Sequence, residues 1–228
     1  MKSAALKTQV VLMFLVLCIC PSVFATPVPI VNWSFESVSG DAQSSPANPD
    51  WGHWYYGIPG WTGTASFGNW DTGTSLFSTG VPEGKNVGWI NSGSISQALN
   101  WTVNSGNIFT LSIDIGNRSD LPFPEYSVAL MAGNDVLVSG GSLTPGEGLF
   151  STLTLSRLVG ENDTNLLGKQ LGIMISAGGL QLNFDNLRIS NESVGNGNHA
   201  VPEPATMLLL GLGLIGLAGY GHRKFKNN

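Results

Sequence analysis

Cysteine is nearly absent from this 228-residue sequence, and the only two, Cys18 and Cys20, lie in its first 25 residues. Beyond them there is no thiol for a disulfide, a nucleophile or a soft-metal site. Charge is also scarce. Asp, Glu, Lys and Arg make up 11% of the chain, under half the ~25% usual for a soluble domain. Between residues 26 and 200 only Lys85, Arg118, Arg157, Lys169 and Arg188 are basic, against fourteen acidic residues, a net charge of −9. With no basic cluster there, binding to the nucleic-acid backbone is excluded. Histidine before the last 28 residues occurs only at His53 and His199. No HExxH, paired-His zinc pattern, GxSxG or phosphate loop is present. Asp50, Asp71, Asp114, Asp120 and Glu125 are enough acids for glycoside hydrolysis, but their spacing selects no pair. The sequence thus shows no catalytic set and predicts a non-enzyme. Sustained apolar spacing of helical period is missing too, which argues against an all-α protein.

What the sequence has in quantity is glycine, 30 residues, and tryptophan, seven. The two ends hold most of the long apolar runs. Residues 1–25 read as a secretory signal: Lys2 and Lys7, an apolar stretch from Val10, and a small residue, Ala25, before the expected signal-peptidase cut. Residues 201–228 carry Val201-Pro202-Glu203-Pro204, an apolar Gly-rich run predicted as a transmembrane helix over 205–221, and a basic end with Arg223, Lys224 and Lys226. The basic end orients such a helix with its C-terminus in the cytoplasm.

That ordered triad resembles the PEP-CTERM sorting signal. The resemblance implies a Gram-negative host that makes exopolysaccharide, an inner-membrane intermediate, and processing at Pro202, Glu203 and Pro204 by an exosortase. The product then rests at the cell surface, the outer membrane or the extracellular matrix. Residues 191–200, rich in Asn and Gly, read as a linker, with Asn191 an accessible Asn-x-Ser acceptor; Asn32, another, sits in an expected strand.

Residues 26–190 are predicted to form an all-β domain, an antiparallel β-sandwich or jelly roll. Phe109, Leu111, Ile113 and Ile115 alternate with Thr110, Ser112 and Asp114, the pattern of a strand with one buried face. Ile95, Leu99, Trp101 and Val103 share one parity, with Gln97 as the exception; Tyr126, Val128 and Leu130, Leu153 and Leu155, and Leu171, Ile173 and Ile175 repeat the theme. Near the end, Leu180, Leu182 and Phe184 share one parity and Leu187 and Ile189 the other, so a bulge is expected at Asp185-Asn186.

Asn32-Trp33-Ser34-Phe35-Glu36, Pro59-Gly60-Trp61 and Asn183-Phe184-Asp185-Asn186-Leu187-Arg188-Ile189 resemble the galactose-binding-like jelly rolls of carbohydrate-binding modules. In such modules the first and last motifs hold a structural Ca²⁺, which by the resemblance assigns Glu36 and Asp185 as ligands. Two carboxylates from distant parts of a chain repel unless a hard cation bridges them; the alternative is that both accept backbone hydrogen bonds.

All seven tryptophans lie between Trp33 and Trp101, most densely in Trp51–Trp61, which its Gly and Pro residues mark as a loop. A rigid aromatic ring is a platform for the C–H face of a sugar. Trp51, Trp54, Tyr55 and Tyr56 are the candidate ligand-binding residues, with Asn48, Asp50, Asn69 and Asp71 near enough in sequence to bond hydroxyls; Trp33, Trp61 and Trp101 are expected in the core. The sequence reading is an exported, non-catalytic protein that binds carbohydrate or is retained in the exopolysaccharide matrix. Its alternatives are a structural or adhesive surface protein without a glycan ligand, and a secreted glycan-active enzyme.

Overall fold

A computed structural model describes residues 25–45, 49–72 and 76–194. The expected transmembrane helix, the linker beyond 194 and Pro202, Glu203 and Pro204 lie outside the described residues. Among the described residues no helix is long and apolar enough to cross a membrane.

The architecture is all-β and antiparallel. The strands are β1 (Thr26–Pro27), β2 (Gly52–Tyr56), β3 (Thr62–Gly63), β4 (Phe67–Thr72), β5 (Asn86–Ile90), β6 (Gly93–Thr102), β7 (Asn107–Asn117), β8 (Tyr126–Ala132), β9 (Asp135–Gly140), β10 (Leu149–Leu158), β11 (Gln170–Ala177) and β12 (Leu182–Ser193). The larger sheet runs β10-β7-β12-β5-β4-β2, with β1 added to β12; the smaller runs β3-β6-β11-β8-β9. Neighbours distant in sequence, such as β12 between β7 and β5, give the crossed connections of a jelly roll.

The alternation explains the core. Phe109, Leu111, Ile113 and Ile115 are all fully buried, as are Val128, Leu130, Leu171 and Ile175 on the facing sheet. At about 25 cal/mol per Å² of apolar surface removed from water, this layer supplies most of the favourable folding free energy. Gln97 breaks its strand's parity for a reason. Its buried amide accepts from Val31 N at 2.9 Å and donates to Val31 O and Gly60 O at 3.0 and 3.1 Å. It ties the N-terminal arm onto the smaller sheet. The register shift in β12 falls between Asp185 and Arg188, and Asn186 has φ 51°. The expected bulge is there.

Five local expectations need correction. Gly52–Tyr56 is a strand, not a loop: its amides pair with β4 on one side, and Trp54 exchanges both backbone bonds with Gln43 on the other. Gly52 (φ 75°) and Gly57 (φ 79°) bound the strand rather than dissolve it. Trp33 is 37% exposed with the Arg188 guanidinium 5.1 Å from its ring centre, whereas Trp61 is buried and Trp101 packs partly buried against the core. Leu180 precedes β12 and is exposed, so the alternation begins only at Leu182. Asn32 sits in a turn at φ 54°, its side chain bonding both backbone groups of Ser37. Asn191, expected in the linker, is buried in β12 opposite Phe109.

Candidate functional site

The larger sheet is buried on its inner face and, over β4, β5 and the ends of β7 and β12 that meet them, on its outer face as well. Its inner face carries Phe184 and Ile115 towards the smaller sheet. Its outer face carries the residues of opposite parity, which period-two pleating places side by side across strands. One row reads Tyr56, Gly68, Trp89, Asn183, Gly116, Phe150. A second reads Trp54, Trp70, Val87 on one side and Asp185, Asp114, Thr152 on the other. Trp70, Val87, Trp89, Leu76 and Phe77 form a hydrophobic cluster separate from the main core, with Trp51, Trp54, Val81 and Phe150 packed against it.

A cavity of about 210 Å³ opens on this face, lined by Trp51, Trp54, Tyr56, Trp70, Trp89, Asn91, Arg118 and Gln181. Three of the four residues chosen from sequence, Trp51, Trp54 and Tyr56, share it. Tyr55 does not: alternation along β2 sends it to the opposite face from its neighbours. The indole nitrogens of the buried rings are already engaged, Trp70 Nε1 on Trp51 O at 2.7 Å and Trp89 Nε1 on Asn69 O at 3.1 Å. Their polar edges are fixed by the protein. The Tyr56 ring meets Trp89 edge-on at 5.6 Å and is 60% exposed at the rim.

The polar part of the pocket is not what the sequence offered. Asn69 is buried and donates to Phe35 O, and Asp71 pairs with Lys85 at 3.4 Å. Neither lines the cavity, and Asn48 lies outside the described residues. In their place stand Asn91, Arg118 and Gln181. Arg118 is the key group. Its Nε and Nη2 bond both oxygens of Asp120, at 2.9 and 2.7 Å, and Nη1 donates to Gln181 Oε1. Its guanidinium stacks 4.6 Å from the Trp70 ring centre and 5.9 Å from that of Trp51. A bidentate carboxylate pair and a stacked ring hold the fork rigid. The pairing with Asp120 also leaves this wall nearly neutral. The only sequence signal was a lone arginine in a Gly-Asn-Arg-Ser-Asp turn.

Beside the pocket a strap, residues 76–85, crosses the outer face. Phe77 is 1% exposed, its ring 4.5 Å from Phe150 and 6.2 Å from Trp70. Glu36 and Asp185 meet at this strap. Glu36 Oε1 accepts Lys85 N and Asn86 N at 2.9 and 2.7 Å, and Oε2 accepts Asn86 Nδ2 at 2.9 Å. Asp185 Oδ2 accepts Glu83 N at 2.9 Å and Oδ1 accepts Asn186 N at 2.6 Å. Burial drives the Asp185 carboxyl up from 3.8 to about 7; the two backbone bonds oppose this, and the charges of Glu83 and Asp114 add to it.

As a Ca²⁺ site these two residues do not fit as they stand. A hard cation takes six to eight oxygens with their lone pairs free. Here all four carboxylate oxygens face N–H donors, and among the described residues no three Asp, Glu, His or Cys side chains converge. The backbone-acceptor alternative is the one the geometry displays. Ala25, the expected signal-peptidase position, is exposed and leads directly into β1.

The HpiC1 cyclase family matches residues 26–190, and the PEP-CTERM protein-sorting motif matches residues 200–224. No curated protein matches the chain. Among solved structures, Fisc, a Stig cyclase from Fischerella sp. TAU in complex with (3Z)-3-(1-methyl-2-pyrrolidinylidene)-3H-indole, is 25% identical with TM-score 0.64, over 75% of this chain and 100% of that one. A cyclase from Fischerella sp. TAU in complex with 4-(1H-indol-3-yl)butan-2-one is 25% identical with TM-score 0.63, over 75% and 100%. TmCBM61 in complex with β-1,4-galactotriose is a looser likeness, 13% identical with TM-score 0.44, over 72% and 98%. The sorting motif marks an exported protein handled by an exosortase, and the domain in front of it is a jelly roll from a lineage that includes enzymes: the chain belongs to the HpiC1-like family.

Proposed function

We propose that this protein is an exported binding protein whose outer-face pocket takes a neutral, flat-faced ligand, a glycosyl unit of a polysaccharide, and does no chemistry on it. One observation carries the reading. The pocket is walled by four indoles and a phenol, and its polar lining is two amides and an arginine already neutralised by Asp120. Such walls stack on C–H faces and hydrogen-bond hydroxyls. None of the lining groups is a carboxylate or imidazole, and a guanidinium does not give up its proton near neutral pH. We also propose retention in an exopolysaccharide matrix after exosortase processing, a signal-peptidase cut after Ala25 and membrane attachment through 205–221 before release, which rest on the sequence of the two ends.

The test is retardation of the full-length chain, in mild detergent, on native gels containing neutral and acidic polysaccharides. Retardation by a neutral polymer, weakened about tenfold in Trp54→Ala while the fold is kept, is expected. Equal retardation of the variant, or none on any polymer, would end the glycan reading and favour a structural or adhesive role.

A second reading, a cyclase acting on an indole-bearing substrate, is favoured by two facts. The Fischerella relatives hold indole ligands, and Asp185, on the same face, has a pKa near neutrality, where a general acid works best. Saturable binding of 4-(1H-indol-3-yl)butan-2-one, tighter than that of any oligosaccharide, would move the assignment to this side.

A further inference from the structure

The outer face contains a side chain that neither the pocket nor the strap explains. Asn183 is fully buried, and neither its Nδ2 nor its Oδ1 has a hydrogen-bond partner. It lies between Trp89 on β5 and Gly116 on β7. A buried amide with both ends unmet costs the full desolvation of both groups, and such groups in folded proteins point to an unfilled requirement. Gly116 beside it has no side chain because the Phe150 ring packs against its backbone: a Cβ there would lie 2.5 Å from that ring.

Phe77 belongs to the same outer-face cluster as Trp89, the cross-strand neighbour of Asn183. Its ring lies against Trp70, which lines the 210 Å³ pocket, and against Phe150, which lines a second cavity of about 260 Å³ that also holds Asp114 and Thr152. Phe77 itself lines a third, of about 340 Å³. One phenyl ring therefore stands among three cavities on a single sheet face. Its strap is held by Ser78 N and Oγ to Gly148 O, Ser119 N to Leu76 O, the ion pair of Lys85 with Asp71, and the acceptors Asp185 and Glu36 at its far end.

We infer that Phe77 is a plug in the binding face: a ligand's ring takes its place between Trp70 and Phe150, where Asn183 supplies one donor and one acceptor to that ring's polar groups. This rests on the binding reading above and extends it from one sugar ring to at least two. The pocket of Trp51 and Trp54 takes the first ring, and the Phe77 position takes the next. Affinity then depends on chain length, because a single ring leaves the plug seated, whereas a longer ligand must displace it.

The experiment is calorimetric titration of the full-length chain and of Phe77→Ala with glucose, cellobiose, cellotetraose and indole. Phe77→Ala is expected to bind cellotetraose at least tenfold more tightly than the unaltered chain does, with little change for glucose. Adding Asn183→Leu should remove most of that gain. Hydrogen exchange on the unaltered chain gives a reading that needs no variant: saturating cellotetraose should speed exchange at residues 76–83. If the unaltered chain binds cellotetraose and Phe77→Ala binds it no better, or exchange in the strap is unchanged, the plug is overturned and the glycan reading stands. If only indole binds, tightened by Phe77→Ala and weakened by Asn183→Leu, the plug stands and the glycan reading falls. If no probe binds either protein, both fall.

Discussion

The two faces of the larger sheet are built from alternate residues of the same strands, yet they obey different rules. The inner face is mostly apolar and tight, although it too buries unmet side-chain oxygens at Asn69 and Asn191: Phe184 and Phe35 meet edge to face at 5.0 Å, and Gly88 is glycine because a Cβ would penetrate the Phe184 ring. The outer face, hidden in many places, mixes indoles with the carboxylates of Asp114 and Asp185 and with Asn183, neither end of whose amide has a partner. A core is selected for packing density, where every unmet polar group is a cost. What sets the outer face apart is that its buried carboxylates and the unmet Asn183 amide lie among indole rings, and recognition is the use that suits rigid rings next to such groups.

The contrast is sharpest if one side chain is removed from each face. Phe184→Ala empties a fully buried ring position on the inner face and should cost about 3–5 kcal/mol. Chemical denaturation would read this as a lower midpoint at unchanged slope, with binding per folded molecule intact. Trp54→Ala, on the half-buried outer row, should do the reverse: about 1 kcal/mol in stability, against a tenfold loss of affinity for a retarding polysaccharide.

Acid should separate the faces next. The Asp185 carboxyl is raised in the folded state, from 3.8 to about 7, so the native protein binds a proton more readily than the unfolded chain. Its contribution is fully present below about pH 4 and is lost as pH rises to about 7, a change of a few kcal/mol. Other carboxylates superimpose their own profiles, so the measurement is a difference. The melting temperature of Asp185→Asn minus that of the unaltered chain should grow between pH 4 and pH 8. A difference independent of pH would show that the outer face does not desolvate this carboxyl.

The inner face was largely legible in the sequence because burial on one side of a strand writes a period of two. Phe109 to Ile115 and the parity flip at Asp185-Asn186 were both read from that period. The outer face was not legible, for a physical reason. A strand buried on both sides loses its alternation, and in Gly52–Tyr56 a dense run of aromatics with flanking glycines looked like a loop. Trp51, Trp54 and Tyr56 were found because aromatic rings declare themselves by type. Arg118, Asn91 and Gln181 were missed because they reach the pocket from turns and strand ends far apart in sequence, and nothing local marks a residue for such a convergence. The strap has no period at all, since it is held by carboxylates at Glu36 and Asp185 rather than by a ladder.

Those two carboxylates set the smallest expected effect. If a cation bridged them, chelation would strip it and release the strap. In the present geometry their oxygens are taken by the N–H groups of Glu83 and Lys85 in the strap and of Asn86 and Asn186 beside it, so the pair's acceptors are met without an ion. A chelator should then leave the melting temperature and polysaccharide retardation unchanged, and added Ca²⁺ should not raise either. Glu36→Gln keeps one acceptor oxygen but loses the charge, and should cost about 1 kcal/mol through weaker bonds to Lys85 N and Asn86 N, with or without Ca²⁺. A melting temperature that falls on chelation in the unaltered chain but not in Glu36→Gln would mean that a cation displaces those N–H groups. The outer face would then be held by an ion, and the contrast with the inner face would lie in what closes it rather than in what it binds.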